Sequence, residues 1–275
     1  GEKEDVLTAE QRLAMSLNAS EVFITVIQNS MLSSDTMLTL TTVENWNKLI
    51  AAVLPAEGEG FSSHESYQTS AMNVIESLVL QLGGYGAVGT MTLLPGEGEG
   101  REGAAVGDAS NPELSHELIA DLENLLEVLP KLLQGFAQLL THPSTKEWTS
   151  QMQFSPQAPV ALLGMSRLKI VRVLESLVLL GDPDVDHRLV ESDCLRLCLV
   201  LFWEFQWCSM LHQSVANLLV HVFEGQNVRY EIQEYFLVQC NLLGRLMDSF
   251  GKAEHVIEQA KQAVVPDPIA LTDSA

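Results

Sequence analysis

The sequence predicts an all-α protein whose antiparallel helices are joined by short loops, as in helical bundles and solenoids. Three observations carry this. Apolar residues recur at i, i+3, i+4 in one segment after another. The separators in the second half of the chain, "GDPDVDH" and "EGQ" among them, are short. No stretch shows period-two alternation bounded by hairpin turns, the pattern of a sheet.

The first helix is expected in "TAEQRLAMSLNASEVFITVIQNS", where Thr8 and Gln11 stand at capping-box spacing and Leu13, Leu17, Val22, Ile24 and Ile27 make its apolar side. A second capping box, Thr41 to Glu44, introduces "TTVENWNKLIAAVL". Ala71, Val74, Ile75, Leu78, Val79 and Leu82 fit the helical template without a gap. Next, Asn111 is the expected N-cap and Pro112 the first helical residue of a segment striped by Leu118, Leu122, Leu125, Leu129, Leu132, Phe136 and Leu140. Pro130 interrupts that stripe, so a kink or a break into two helices is expected there. From Ser166 onward four further helices follow closely, the second introduced by a turn in which Asp182 or Asp184 is the cap.

Two acidic glycine tracts, within 55–66 and 95–110, have little to bury and read as flexible loops. They begin 40 residues apart, a spacing in the range of helical repeats. The whole of 1–275 reads as one helical domain, and an opening Gly in place of Met suggests a piece of a longer protein.

Composition narrows the function classes. The chain has 275 residues, 47% of them apolar, which is ample for a sizeable core. Fifteen basic against 36 acidic residues give a net charge of −21, which disfavours nucleic acid and anionic membrane surfaces and suits a basic partner. The apolar runs fall short of the ~20 residues of a membrane span. Cys194, Cys198, Cys208 and Cys240 lie in apolar helical stretches and read as reduced core thiols, which fits an intracellular protein.

Chemistry-bearing motifs are scarce. "GYGAVG" at 84–89 satisfies G-x-G-x-x-G, but a helix precedes it where a dinucleotide fingerprint needs a strand, so it reads as a glycine-rich loop. Cys194, Cys198, His187 and His212 make an imaginable zinc set, disfavoured because the cysteines share a stripe with Leu195, Leu199 and Phe202. Ser166 in "GMSRL" lacks the second glycine of a nucleophile elbow. The sequon Asn18-Ala19-Ser20 falls inside a helix. No paired acids or triad offers a catalytic residue, and no cofactor is implied.

The densest feature is "LFWEFQWCSMLH", residues 201–212, which crowds Phe202, Trp203, Phe205 and Trp207 between two helices. Leu195, Cys198, Leu199 and Phe202 share one face before it, and Trp207, Leu211, Val215, Leu218 and Val222 share another after it. Trp207 is therefore expected to start a core stripe, and truncating Phe202 or Trp207 to cost about 3 to 5 kcal/mol. Trp203, beside Glu204 and Gln206, is the aromatic expected to stay partly exposed. Two readings stand: aromatics pinning two helices together, or a protein-binding edge.

Residues 162–223 resemble the SAPS domain of the regulatory subunits of protein phosphatase 6 and its yeast counterpart. The resemblance rests on Gly164, on "RLKIV" at 167–171, and on Leu174, Leu201, Phe202, Phe205, Trp207, Leu211 and His212. "SLNASEVFITVIQNS" and "VQCNLLGRLMDSF" resemble further family segments, and the match is most specific over about 160–250. Trp203, Gln206 and Cys208 depart from the family's phenylalanine, proline and asparagine. The resemblance implies a helical-repeat fold related to HEAT and armadillo arrays, without catalytic activity. It implies binding of a serine/threonine phosphatase catalytic subunit, at times with an ankyrin-repeat subunit, in the cytoplasm with the nucleus open to it. Trp203, Glu204 and His212 are the candidate contacts. A generic trafficking or transport adaptor, and a zinc hydrolase around Cys194 and His212, are the competing expectations.

Overall fold

The computed structural model describes residues 9–30, 34–54, 65–84, 112–142, 149–150, 159–224 and 228–263. The expected cap at Thr8, the cap at Asn111, the two glycine tracts and most of "GYGAVG" lie outside the described residues. The chain divides into two compact units, 1–231 and 232–275.

The first unit contains α1 (Ala9–Asn29), α2 (Asp35–Leu40), α3 (Val43–Val53), α4 (Glu65–Leu82), α5 (Pro112–Thr141), α6 (Met165–Leu180), α7 (Pro183–Glu191), α8 (Cys194–Glu204) and α9 (Ser209–Phe223). Helices α1, α4, α6 and α9 pack one after another in a row. A second row, α3, α5 and α8, lies against it: α3 packs on α4, α5 bridges α4 and α6, and α8 bridges α6 and α9. Elements that touch only their near neighbours make the architecture of a helical-repeat protein. Gln81 Nε2 donates to the Ser30 carbonyl at 2.7 Å, which ties the C-terminal ends of α1 and α4 together, so the two run in the same direction. Outside the helices, Thr149–Ser150 and Val160–Ala161 form a two-residue antiparallel pair, a small departure from the sheet-free expectation.

Burial follows position in the rows. In α4 the six expected stripe residues are all buried. Helix α6 is flanked by α4 and α9 in its own row and backed by α5 and α8, and nine of its sixteen residues are buried. In α5, Leu125, Leu129, Leu132, Phe136 and Leu140 are buried as expected, with Leu122 half-buried. Pro130 does not break the helix, which runs on to Thr141. It sits on the exposed face, so the carbonyl four residues back loses its donor on the side open to water. Gly135, on the opposite face, marks a close approach: a Cβ there would lie 2.1 Å from Leu54 Cδ2.

Two local expectations are corrected. In α1, Ile27 is buried and Ile24 half-buried, but Leu17 and Val22 are exposed, and the Leu13 side chain lies outside the described residues. The buried face instead pairs Ile24 and Ile27 with Ser20, whose hydroxyl donates to the Leu17 carbonyl at 2.8 Å. Apolar residues surround α1, and its packing against α4 selects the face that is buried, so periodicity alone does not. At the start of α3 the cap is Thr42, which accepts from the Asn45 N–H at 3.4 Å, and not Thr41. Asp182 caps α7 as expected, accepting from the N–H groups of Asp184 and Val185 at 3.0 Å each.

The second unit holds the rest of α10 (Tyr230–Glu234), a π-helical turn, Tyr235–Gln239, and α11 (Leu242–Ala263). The Cys240 N–H closes that turn on the Tyr235 carbonyl at 2.9 Å. Ile232, Tyr235, Phe236 and Cys240 are buried, whereas Leu243, Met247 and Phe250 of α11 are exposed.

Thr41 turns inward to meet Asp121 of α5, and both are buried. Its Oγ also lies 2.8 Å from the Met37 carbonyl, which can only accept. A hydroxyl has one proton, which the Met37 carbonyl and the Asp121 carboxyl oxygen compete to accept. Burial raises the Asp121 pKa, and the hydrogen bond from Thr41 works against it. Stability from such a group is complete below the unfolded value of about 3.9 and falls as pH rises through the raised folded value. Asp121→Asn, which keeps the shape and an acceptor for Thr41 without a charge to bury, is expected to melt higher than wild type at pH 8, the gain shrinking toward pH 4. Thermal unfolding across that range checks this, and a lower melting temperature for the variant at pH 8 contradicts it.

Candidate protein-interaction site

The aromatic corner lies where α8 ends and α9 begins. The Phe205 N–H still closes on the Leu201 carbonyl at 2.9 Å, the Cys208 N–H turns back on the Phe205 carbonyl at 3.1 Å, and α9 opens at Ser209. Phe205 points inward and is buried. Gln206 and Trp207 occupy the outside of the turn.

Arg167, in the first turn of α6, organises this corner. Its Nε donates to the Leu163 carbonyl at 2.6 Å and its Nη2 to the Leu162 carbonyl at 3.1 Å. Its guanidinium carbon stands 4.7 Å from the centre of the Phe205 ring. The side chain is buried, so a charge that would be costly alone is met by two carbonyls and a π face. Burial lowers its pKa, and the field of Glu204 works against that. Composition and spacing gave no weight to Arg167. The available signal was its place in the first turn, on the same side as the apolar residues of a helix whose other cations are Lys169 and Arg172.

The three candidate contacts are placed differently. Phe202 holds the edge of Trp203 at 4.8 Å, interplanar angle 88°, and the His212 ring at 4.5 Å. His212 Nε2 is 3.1 Å from the Phe202 carbonyl, so the ring that donates there locks the end of α8 to α9. Trp203 is half-buried, and its Nε1 is covered without a hydrogen-bond partner. Glu204 is exposed. The corner thus brings all three together, with Glu204 facing solvent and the two rings serving mainly as packing.

Trp207 overturns its expectation: it is 70% exposed. The stripe of α9 was extended back two residues before the helix starts, whereas Leu211, Val215, Leu218 and Val222, which lie within it, are buried. Phe202 is half-buried, and Phe205 takes the core position. Met210 in the first turn of α9 and Leu162 and Met165 at the start of α6 are exposed as well. Arg167 joins these two stretches, since it bonds Leu162 and covers Phe205.

Cys194 is buried, its Sγ donates to the Leu133 carbonyl at 3.3 Å, and its pKa is pushed up to about 11 by burial. Cys198 is buried and shifted upward for the same reason. Metal ligation requires the thiolate, which this environment opposes. His187 is engaged elsewhere, with Glu231 at 2.8 Å and Glu191 at 3.5 Å. Among the described residues, no three His, Cys, Asp or Glu side chains are grouped to hold a metal. A cleft of about 610 Å³ between α5 and α7 is lined by Leu133, Gln134, Ala137, Arg188 and Glu191 among others. Its Arg188 and Glu191 pair with each other at 3.2 Å. Among the described residues, no helix is long and apolar enough to cross a membrane.

No protein-family model matches the chain, and no solved structure does. Among curated proteins it is similar to the serine/threonine-protein phosphatase 6 regulatory subunit 3-B of Xenopus laevis, 20% identical over 260 residues, which is 90% of this chain and 28% of that protein. It is 25% identical over 160 residues to regulatory subunit 3 of Gallus gallus, covering 52% of this chain and 18% of the relative. Against regulatory subunit 1 of Homo sapiens it is 26% identical over 140 residues, 48% of this chain and 16% of the relative. The chain spans little more than a quarter of the length of these relatives, at most.

If the corner is built this way, Trp207→Ala should change the free energy of unfolding by no more than about 0.5 kcal/mol. Leu211→Ala, in the first full turn of α9, should cost about 2 to 5 kcal/mol. Urea unfolding of the two variants checks the contrast, and equal losses would contradict it.

Proposed function

We propose that this member of the SAPS-domain family of protein phosphatase 6 regulatory subunits is a non-catalytic scaffold that binds a serine/threonine phosphatase catalytic subunit and directs it to substrates. The observation that carries the proposal is the similarity to a phosphatase 6 regulatory subunit over 90% of the chain. The two-row packing supports it physically. A repeat array buries its apolar surface between helices and leaves an extended outer wall for a macromolecular partner. The acidic balance favours encounter with a basic surface. An ankyrin-repeat protein as a third subunit and a cytoplasmic setting go with this reading.

Within the corner, Glu204 is the proposed direct contact, and Trp203 and His212 hold it in place. The full-length protein, mixed with the phosphatase 6 catalytic subunit, is expected to elute as a stoichiometric complex on gel filtration. Trp203→Ala with Glu204→Ala is expected to weaken that complex. Separate elution of the two wild-type proteins at micromolar concentration would contradict the function, and an undiminished complex with the double variant would remove these residues from the interface.

A further inference from the structure

The corner presents an apolar surface that does nothing for the fold. Trp207 is 70% exposed and Met210 57%, and Leu162 and Met165 lie open at the start of the neighbouring helix. Tryptophan carries the largest apolar area of any side chain, and an indole left open on a rigid turn is the composition of an interaction hot spot.

Rigidity is the second observation. Arg167 bonds the carbonyls of Leu162 and Leu163 and covers Phe205, so one buried side chain fixes both stretches that carry the exposed residues. The Cys208 and His212 N–H groups close the turn from the other side. An anchor held before its partner arrives loses little freedom on binding.

Charge identifies the partner's chemistry. The Arg167 guanidinium is turned inward, while Glu204 is exposed beside the turn. A second copy of the chain would bring Glu204 and a net charge of −21 against the same patch. An anionic membrane is repelled likewise. A surface with apolar side chains flanked by arginine or lysine fits: the apolar groups seat on Trp207 and Met210, and the cation pairs with Glu204 or lies over the indole face.

Resting on the function proposed above, we infer that Trp207 and Met210, with Leu162 and Met165 beside them, are the anchor on which a basic-flanked apolar segment of the phosphatase catalytic subunit docks. Trp203 and His212, packed on Phe202, hold the end of α8 to α9, from whose turn Trp207 and Met210 project.

The test uses the full-length protein and purified phosphatase 6 catalytic subunit, with calorimetric titration at low and high salt. Trp207→Ser with Met210→Ser is expected to weaken binding at least about tenfold with an unchanged melting temperature. Glu204→Arg is expected to weaken it most at low salt, the loss shrinking as salt rises. Full affinity in the double-serine variant overturns the anchor and leaves the function standing, whereas a wild-type protein that does not bind overturns both. If wild type alone sediments as a dimer that the double-serine variant disperses, the occupant is a second copy and the basic-partner assignment is wrong. Glu204→Arg keeps the apolar surface intact, so it tests the charge assignment even if the serine variant folds poorly.

Discussion

Helix α6 has helices against it on nearly every side: α4 and α9 along its own row, α5 and α8 from behind. Its buried residues, Leu168, Ile170, Val171, Val173, Leu174, Leu177 and Val178 among them, leave only a narrow, mostly half-buried stripe of Met165, Lys169, Arg172, Glu175 and Leu179 toward water. Each fully buried aliphatic side chain stabilises by about 1.5 to 3 kcal/mol relative to exposure. The order of the rows follows from this. A helix that must be covered on both flanks forces α4 and α9 to lie beside it, and their own outward faces then fix what packs next.

The same constraint builds the corner. Because α6 is held in the middle, the short loop between α8 and α9 must turn over its N-terminal end, where Arg167 supplies two hydrogen bonds and a π contact to receive it. A buried cation is costly unless satisfied, so the turn and the arginine need each other. Phe205 fills the inside of the turn, which leaves Trp207 outside it. The exposed tryptophan is thus a consequence of how the core closes.

The parts of this fold that were legible in sequence are those governed by one local rule. Helix α4 has a clean stripe because it faces the core along one side, and Asp182 followed by Pro183 is a cap followed by a first-turn proline. The α-helical class followed from the absence of period-two patterns. What escaped depends on partners distant in sequence. Thr41 and Thr42 are equally good caps, and the choice is made by Asp121, 80 residues away from Thr41. Trp207 has the right spacing for α9 but lies before its first turn. Helix α1 has apolar residues on two faces, and contact with α4 decides between them. Arg167 looked like one more charged residue because its partners are two carbonyls and a ring 38 residues on.

Hydrogen exchange by mass spectrometry tests the central role of α6 most directly. Amides of 168–178 should be the slowest in the chain, exchanging only through global unfolding, and those of α4 and α9 next to them should follow. If 168–178 exchange as fast as the exposed α11, helix α6 is not the element around which the rows are built.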